Sequence, residues 1–333
     1  MRAFLTFVFL AVLAVVGWLG WALYSPVVPS GQKFVLLHSG YSTRRIASEL
    51  RSAGVIRSTT AFMVWKRLHP KRSLKAGEYL FEKPANALEI QDRLVRGDVY
   101  VHTVVVPEGF NIFEIAQAIQ DAGLGPSQDF LKVATSDIAL ISDLDPNAKT
   151  LEGYLFPNTY EFTRTQTMEE IAGAMVKQFR QVAREIGLVS TDMTSMQTTV
   201  TLASIIEKET AAPEERPLVA SVYQNRLAKN VPLQADPSVI YAEQLEGNYT
   251  GALHHADMQF KSAYNTYAHP GLPPGPIANP GKTSLEAAMH PADTNYLYFV
   301  SNGNGHHRFA HSLEEHNRNV AAYRRAVSAR QSP

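Results

Sequence analysis

Two glutamates, Glu207 and Glu209, sit near the end of a largely apolar run, QTTVTLASIIEKET at Gln197–Thr210. A carboxyl group can protonate a leaving oxygen and take a proton back, provided it is held partly protonated near neutral pH. Leu202, Ala203, Ile205 and Ile206 define one helical face at about 100° per residue. With Ile206 at zero, Glu209 falls about 60° away, on the side of Leu202 and Ile205. Glu207 lies about 100° away on the other flank, and Lys208 points roughly opposite. A carboxyl among apolar groups has its charged form disfavoured and its pKa raised. Glu209 is therefore the candidate general acid and base. On the helical wheel alone, a solvated carboxylate past the end of the buried face is the simpler reading, and the rest of the chain shifts that balance.

Other polar groups fall in patterned segments. Leu151–Tyr160, LEGYLFPNTY, interleaves aromatic residues with Glu152 and a Gly/Pro turn, which suits a sugar-binding wall and equally a buried strand and turn. A helix led by Glu214-Glu215-Arg216 puts Val219, Val222, Tyr223, Arg226 and Leu227 on one face, and its Asn225-Arg226 pair is suited to holding a carboxylate or a substrate. Gln234 and Asp236 lie in a polar turn, PLQADPSVIY, and Asn265 and Tyr267 in AYNTY. The next loop, GLPPGPIANPG at Gly271–Gly281, is dense in Pro and Gly yet bounded by Tyr and Asn. That composition favours a rigid, shaped site or a structural loop over a linker. Glu152, Asn225, Arg226, Gln234, Asp236, Asn265 and Tyr267 are accordingly the candidate substrate contacts.

No metal site is expected. The pairs His254-His255 and His306-His307 would point to opposite sides of a strand, His307 and His311 are spaced for zinc only if helical, and no HExxH run occurs. The chain has no cysteine, which excludes disulfides, thiolate chemistry and Cys-type zinc. Its 31 basic and 31 acidic residues leave no electrostatic footprint for nucleic acid. With 45% hydrophobic and 19% charged residues over 333 positions, the chain can bury a real core in two domains, or in one domain with an appended module.

The positioning elements begin with a membrane anchor. Ala3–Tyr24 carries no charge and spans roughly 33 Å as a helix, enough for a bilayer core of about 30 Å. Trp18, Trp21 and Tyr24 gather at its far end, and Arg2 precedes it, which predicts a cytoplasmic N-terminus with the remainder outside. The apolar run exceeds that of a cleaved signal peptide, and Leu23-Tyr24-Ser25-Pro26 is a poor cleavage site. Residues 26–33 then read as a short extended tether. Two segments 69 positions apart resemble each other, FVLLHSGYSTRRIASELRSAGVI at Phe34–Ile56 and TVVVPEGFNIFEIAQAIQDAGLG at Thr103–Gly125. Each predicts a strand, a Gly turn, a Ser or Asn cap and a helix closed by Gly. A helix over Ser58–Leu68, a return strand at Ala76–Phe81 and a helix over Ala87–Arg96 lie between them. This strand–helix–helix–strand order resembles a LysM-like module, a family that docks on GlcNAc-containing glycans.

The ordered motifs sharpen the picture. ASIIEKETA at Ala203–Ala211, NRL at Asn225–Leu227 and LQADPSVIY at Leu233–Tyr241 resemble the endolytic murein transglycosylase family. AYNTY at Ala263–Tyr267, GLPPGPIANPG, AAMHPA at Ala287–Ala292 and YLYFVSNGNGHHRF at Tyr296–Phe309 extend the resemblance, which runs through SLEEHN at Ser312–Asn317. In that family the second glutamate of Glu-Lys-Glu is catalytic, which corresponds to Glu209. The family's turn after LEGYLFP usually carries Asp, so Asn158 argues against an ionised role at that position.

The resemblance implies an inner-membrane enzyme that cuts MurNAc-β-1,4-GlcNAc bonds within nascent glycan strands, leaves 1,6-anhydroMurNAc ends and needs no cofactor, with peptidoglycan synthases as partners. The expected fold is α+β: an anchor over residues 1–25, the tether, a LysM-like α/β region over 34–149 and a mixed catalytic domain over 150–333. Two other classes stay open. One is a glycan-binding scaffold without catalysis, and the other is a glycoside hydrolase in which Glu152 or Asp236 supplies the second carboxylate.

Overall fold

The computed structural model describes residues 1–188 and 193–331 and has a mixed α+β architecture. The expected C-terminal boundary, Pro333, lies outside the described residues. The chain divides into two units, Met1–Thr103 with Glu161–Thr167, and Val104–Tyr160 with Met168–Pro333.

The first unit opens with α1 (Arg2–Tyr24), a helix long and apolar enough to cross a membrane, with mean hydropathy 2.4. Then come β1 (Lys33–Leu37), α2 (Thr43–Ser52), α3 (Thr59–Leu68), β2 (Gly77–Phe81) and α4 (Ala87–Arg96). β1 and β2 pair antiparallel, with Val35 opposite Tyr79. Val35 and Leu37 alternate inward and meet Leu50, Phe62, Tyr79 and Leu94 in the core. The last turn of α1 belongs to this unit: Ala22 is buried and Leu23 packs on the core. The Arg57 guanidinium lies 4.9 Å from the Trp21 ring centroid and donates to the Pro26 carbonyl at 2.7 Å. Val27 and Ala85 exchange backbone hydrogen bonds of 2.9 and 3.2 Å, so the stretch expected as a tether is extended but pinned.

The strands β3 (His102–Val106) and β4 (Asn158–Phe162) pair with each other, with α5 (Ile112–Asp121) and α6 (Ser127–Ser136) between them in sequence. α7 (Met168–Glu185), α8 (Met193–Glu209), α9 (Arg216–Ala228), α10 (Asp236–Leu245) and α11 (Lys282–Met289) follow. The chain closes with the antiparallel hairpin β5 (Tyr298–Ser301) and β6 (His307–Ala310), then α12 (Leu313–Gln331).

The two repeat segments fold alike. Gly40 and Gly109 turn the chain at φ 82° and 79°, left-handed values that favour glycine. Ser42 accepts from the Arg45 amide, and Asn111 accepts from Phe113 and Glu114 while Glu114 returns a bond to the Asn111 amide. Ile46-Ala47-Leu50 and Ile115-Ala116-Ile119 form equivalent buried stripes.

The second repeat has a further task, because its turn holds α8. Lys208 Nζ donates to the Gly109 carbonyl at 3.1 Å, and the Gly109 amide donates to the Asn279 carbonyl at 2.9 Å. Asn279 is fully buried; its side chain donates to Glu152 at 2.7 Å and accepts from the Leu155 amide at 2.9 Å. The other Glu152 oxygen accepts from the Ile112 amide at 3.0 Å. Ser204 on α8 accepts from the Ile277 amide at 3.0 Å, tying the Pro/Gly-rich loop to the same helix. Burial pushes Glu152 up to about 8, against the pull of the Ile112 amide and the Tyr241 hydroxyl.

Above its pKa of about 8 the ionised Glu152 accepts at both oxygens, and there Glu152→Gln must turn an NH2 group toward one of the donors. The expected loss is about 1–3 kcal/mol of stability, the cost of a buried donor without a partner. Denaturant midpoints measure it, and a variant as stable as the parent would show that this node does not hold the fold.

Candidate active site

Glu209 is the last residue of α8 and lines a cavity of about 250 Å³. Five segments of the same unit close around it. α9 contributes Tyr223 and Arg226, three residues apart and so on one helical face. The segment entering α10 adds Leu233, Gln234 and Asp236, and the preceding loop of α11 adds Tyr267. Phe299 of β5 and His316 of α12 complete the wall.

The Tyr223 hydroxyl donates to Glu209 Oε1 at 2.7 Å. Burial pushes the Glu209 carboxyl up, the Tyr223 bond pulls it down, Asp236 raises it and Arg226 lowers it, leaving a pKa of about 7. Tyr223 is itself pushed well above the ordinary tyrosine value, first by burial and then by Glu209, so it stays a proton donor. Burial also raises Tyr267, whose hydroxyl donates to Asp236. The result is a carboxyl that exchanges a proton near neutrality, with an exposed carboxylate and a guanidinium in the same cavity.

Arg226 is buried and shapes the cavity through its contacts. Nε donates to the Leu297 carbonyl at 2.7 Å, and one terminal nitrogen donates to Leu233 O at 2.8 Å and to the Gln234 side chain at 3.3 Å. Gln234 adopts φ 53°, a left-handed conformation that costs a non-glycine residue roughly 1–2 kcal/mol. Its amide donates to Thr266 O at 3.1 Å, so the conformation is held from both sides.

Of the residues singled out in the sequence, Glu209, Arg226, Gln234, Asp236 and Tyr267 come together in this cavity. Three stand apart. Glu152 is 1% exposed in the scaffold node, and Tyr154 beside it is fully buried and donates to Asp145, so LEGYLFP forms a buried turn and not a sugar-binding wall. The Asn225 side chain donates to the Thr294 and Tyr296 carbonyls at 2.8 and 2.9 Å, securing the chain ahead of β5. Asn265 is fully buried, donates to Met258 and Phe260 carbonyls, and accepts from the Tyr267 amide, shaping the loop that presents Tyr267. Most of the Gly271–Gly281 loop is buried, and it packs on α8 outside the cavity lining.

Glu207, expected on the other flank of α8, is engaged by neighbouring elements. Its side chain is 5% exposed, pairs with Arg216 at 2.8 Å and accepts from the Gly281 amide at 2.9 Å. Tyr223, Phe299 and His316 received no role from sequence. Tyr223 shares its predicted helix face with Arg226, a signal that could have marked it. Among the described residues, no group of three or more His, Asp or Glu side chains is arranged to hold a metal.

A family model described as the YceG-like family matches residues 35–322. The chain belongs to that family. It is 35% identical over 327 residues to a Bacillus subtilis protein named endolytic murein transglycosylase, covering 91% of this chain and 89% of the relative. A Streptococcus pneumoniae protein of the same name is 29% identical; the match covers 95% of this chain but 64% of that longer protein. The crystal structure of a YceG-like protein from Listeria monocytogenes superposes with TM-score 0.59 at 33% identity, covering 86% of this chain and 98% of that one.

The Glu209 titration has a consequence for folding. Its pKa rises from an ordinary 4.5 to about 7, so between those values the native state binds more protons than the unfolded chain. Stability contributed by the neutral form is present below the ordinary value and is lost as pH rises through the native one. Glu209→Gln is expected to lose less stability between about pH 5 and 8 than the parent chain. Denaturant midpoints at both pH values decide it, and identical slopes would place Glu209 in an ordinary solvated setting.

Proposed function

We propose that this chain is an endolytic murein transglycosylase, a lyase that cuts peptidoglycan glycan strands internally, with Glu209 as its acid and then its base. The observation that carries this is the Glu209 carboxyl, with a pKa of about 7, held by Tyr223 in a cavity shared with Arg226. The name of the B. subtilis relative supports the substrate and the reaction class.

In this mechanism, protonated Glu209 donates to the glycosidic oxygen between MurNAc and GlcNAc. The C1–O4 bond breaks, GlcNAc leaves with the proton on O4, and positive charge builds at C1 of MurNAc. The Glu209 carboxylate then takes the proton of the C6 hydroxyl as O6 bonds to C1, giving a 1,6-anhydro end. Tethering the C6 hydroxyl to the reacting sugar gives it the effective-molarity advantage of an intramolecular nucleophile. The nearby Asp236 carboxylate favours the cationic stage. No cofactor enters these steps.

The setting follows from α1. Its length and apolarity support a single-pass anchor through residues 3–24, and Arg2 ahead of it favours a cytoplasmic N-terminus with residues 150–333 on the outer side of the inner membrane. The β1–α2–α3–β2 order supports a LysM-like, glycan-contacting role for the region after the anchor. Synthases that extend the strand are the proposed partners.

One specific observation favours a second mechanism. Asp236 lines the same cavity as Glu209, so a two-carboxylate hydrolase has a second acid at hand, whereas Glu152 does not reach it. Products separate the two. Mass analysis of digested sacculi is expected to show anhydro ends, lighter than hydrolytic ends by one water and resistant to borohydride. Reducing MurNAc ends would establish hydrolysis instead. Glu209→Gln should lower turnover by at least about 10²–10⁴. Glu207→Gln should chiefly weaken the Arg216 contact and keep the chemistry. An unchanged rate in Glu209→Gln would remove Glu209 from the chemistry, and a parent chain that does not cut would leave the non-catalytic scaffold.

A further inference from the structure

The histidine pair of the C-terminal hairpin does something that the sequence did not anticipate. His306 and His307 were expected on opposite sides of a strand, yet both rings reach one carboxylate, Glu215. His307 Nδ1 lies 2.7 Å from Glu215 Oε2, His306 Nδ1 lies 3.2 Å from Oε1, and the His307 amide donates to Oε1 at 3.0 Å. The geometry is possible because His306 precedes β6 and is not part of its pleat. Glu215 is buried, at 8% exposure, in the turn leading into α9, the helix that carries Tyr223.

The hairpin is therefore tied to α9 at two places. Asn225 and Arg226 hold the chain entering β5 through the Tyr296 and Leu297 carbonyls. Glu215 holds the start of the returning strand, beyond the turn. Phe299 sits between these ties. It pairs with Phe309 across the hairpin, and its ring stands edge-on to His307 at 5.3 Å and to Tyr223 at 5.9 Å. Phe299 is half-buried and lines the cavity that contains Glu209. A partly exposed aromatic ring beside polar groups is suited to the apolar C–H face of a sugar.

We propose that Phe299 is the stacking platform for a sugar ring of the bound glycan, and that Glu215 is a positioning residue that fixes the platform by clamping His306 and His307. The platform acts on binding, and Glu209 retains the chemistry. Burial alone would push the Glu215 carboxyl up, but its contacts with His307 bring it below the ordinary range, so it remains an acceptor at neutral pH. This proposal rests on glycan being the substrate.

The test is steady-state cleavage of uncrosslinked glycan strands by the full chain. Loss of a contact made equally in the ground and transition states raises KM and spares kcat. Phe299→Leu and Glu215→Gln should each raise KM by about tenfold while kcat changes little. Combining them should add little, because they disable one platform. Phe299→Tyr, which keeps the ring, should retain the parent KM. If Glu215→Gln does not fold, the Leu and Tyr variants at position 299 still decide whether the ring binds sugar. An unchanged KM in Phe299→Leu, or KM losses that multiply in the double variant, overturns the proposal while the parent chain still cuts glycan. A parent chain that leaves the strands uncut overturns the activity itself.

Discussion

A carboxyl removed from water resists ionisation, and the site is organised around that resistance at the end of α8. Glu209 gains its shifted pKa from burial, and that shift is useful only because Tyr223 holds one oxygen and Arg226 and Asp236 supply opposing fields. A stronger cationic environment would ionise the group, and a fully apolar one would keep it protonated throughout a catalytic cycle. The balance near neutrality lets one side chain give and then recover a proton.

Holding that balance requires α8 and α9 to keep their spacing. Buried polar bonds supply much of the constraint. Asn279 links the turn of the second repeat to Glu152 and to the Leu155 amide, while Glu207 reaches Arg216 at the start of α9 and the Gly281 amide at the start of α11. Such bonds add little net stability when satisfied, but a missing partner leaves a desolvated group unpaired. They consequently specify one arrangement more than they raise overall stability. Two residues that looked like site chemistry in sequence, Glu152 and Asn265, belong to this internal framework.

Local patterns carried much of the architecture. The α1 span, the capped helices of both repeats, the return strand β2 and the apolar run of α8 are all set by short-range periodicity, turn glycines and caps, which act within a few residues of themselves. The place of Glu209 at the end of that run was legible for the same reason. Partnerships between distant segments were not. The bond from Tyr223 to Glu209 depends on how two helices cross, the Glu215 clamp on a hairpin roughly 90 residues away, and the burial of Glu152 on Asn279. A polar residue in a turn has the same local signature whether it faces a cleft or an internal amide, so Asn225 and Asn265 could not be separated from Gln234 and Asp236 by spacing.

The proposed chemistry rests on a Glu209 carboxyl that is half-protonated near neutral pH, and its vibration reports this directly. Infrared difference spectra of the parent chain minus Glu209→Gln, collected across pH, isolate the C=O stretch of the protonated acid at this position. A band present at pH 5 should disappear with a midpoint near the Glu209 pKa of about 7. A band that fades around the ordinary value of 4.5, leaving the group ionised well below neutrality, would contradict it.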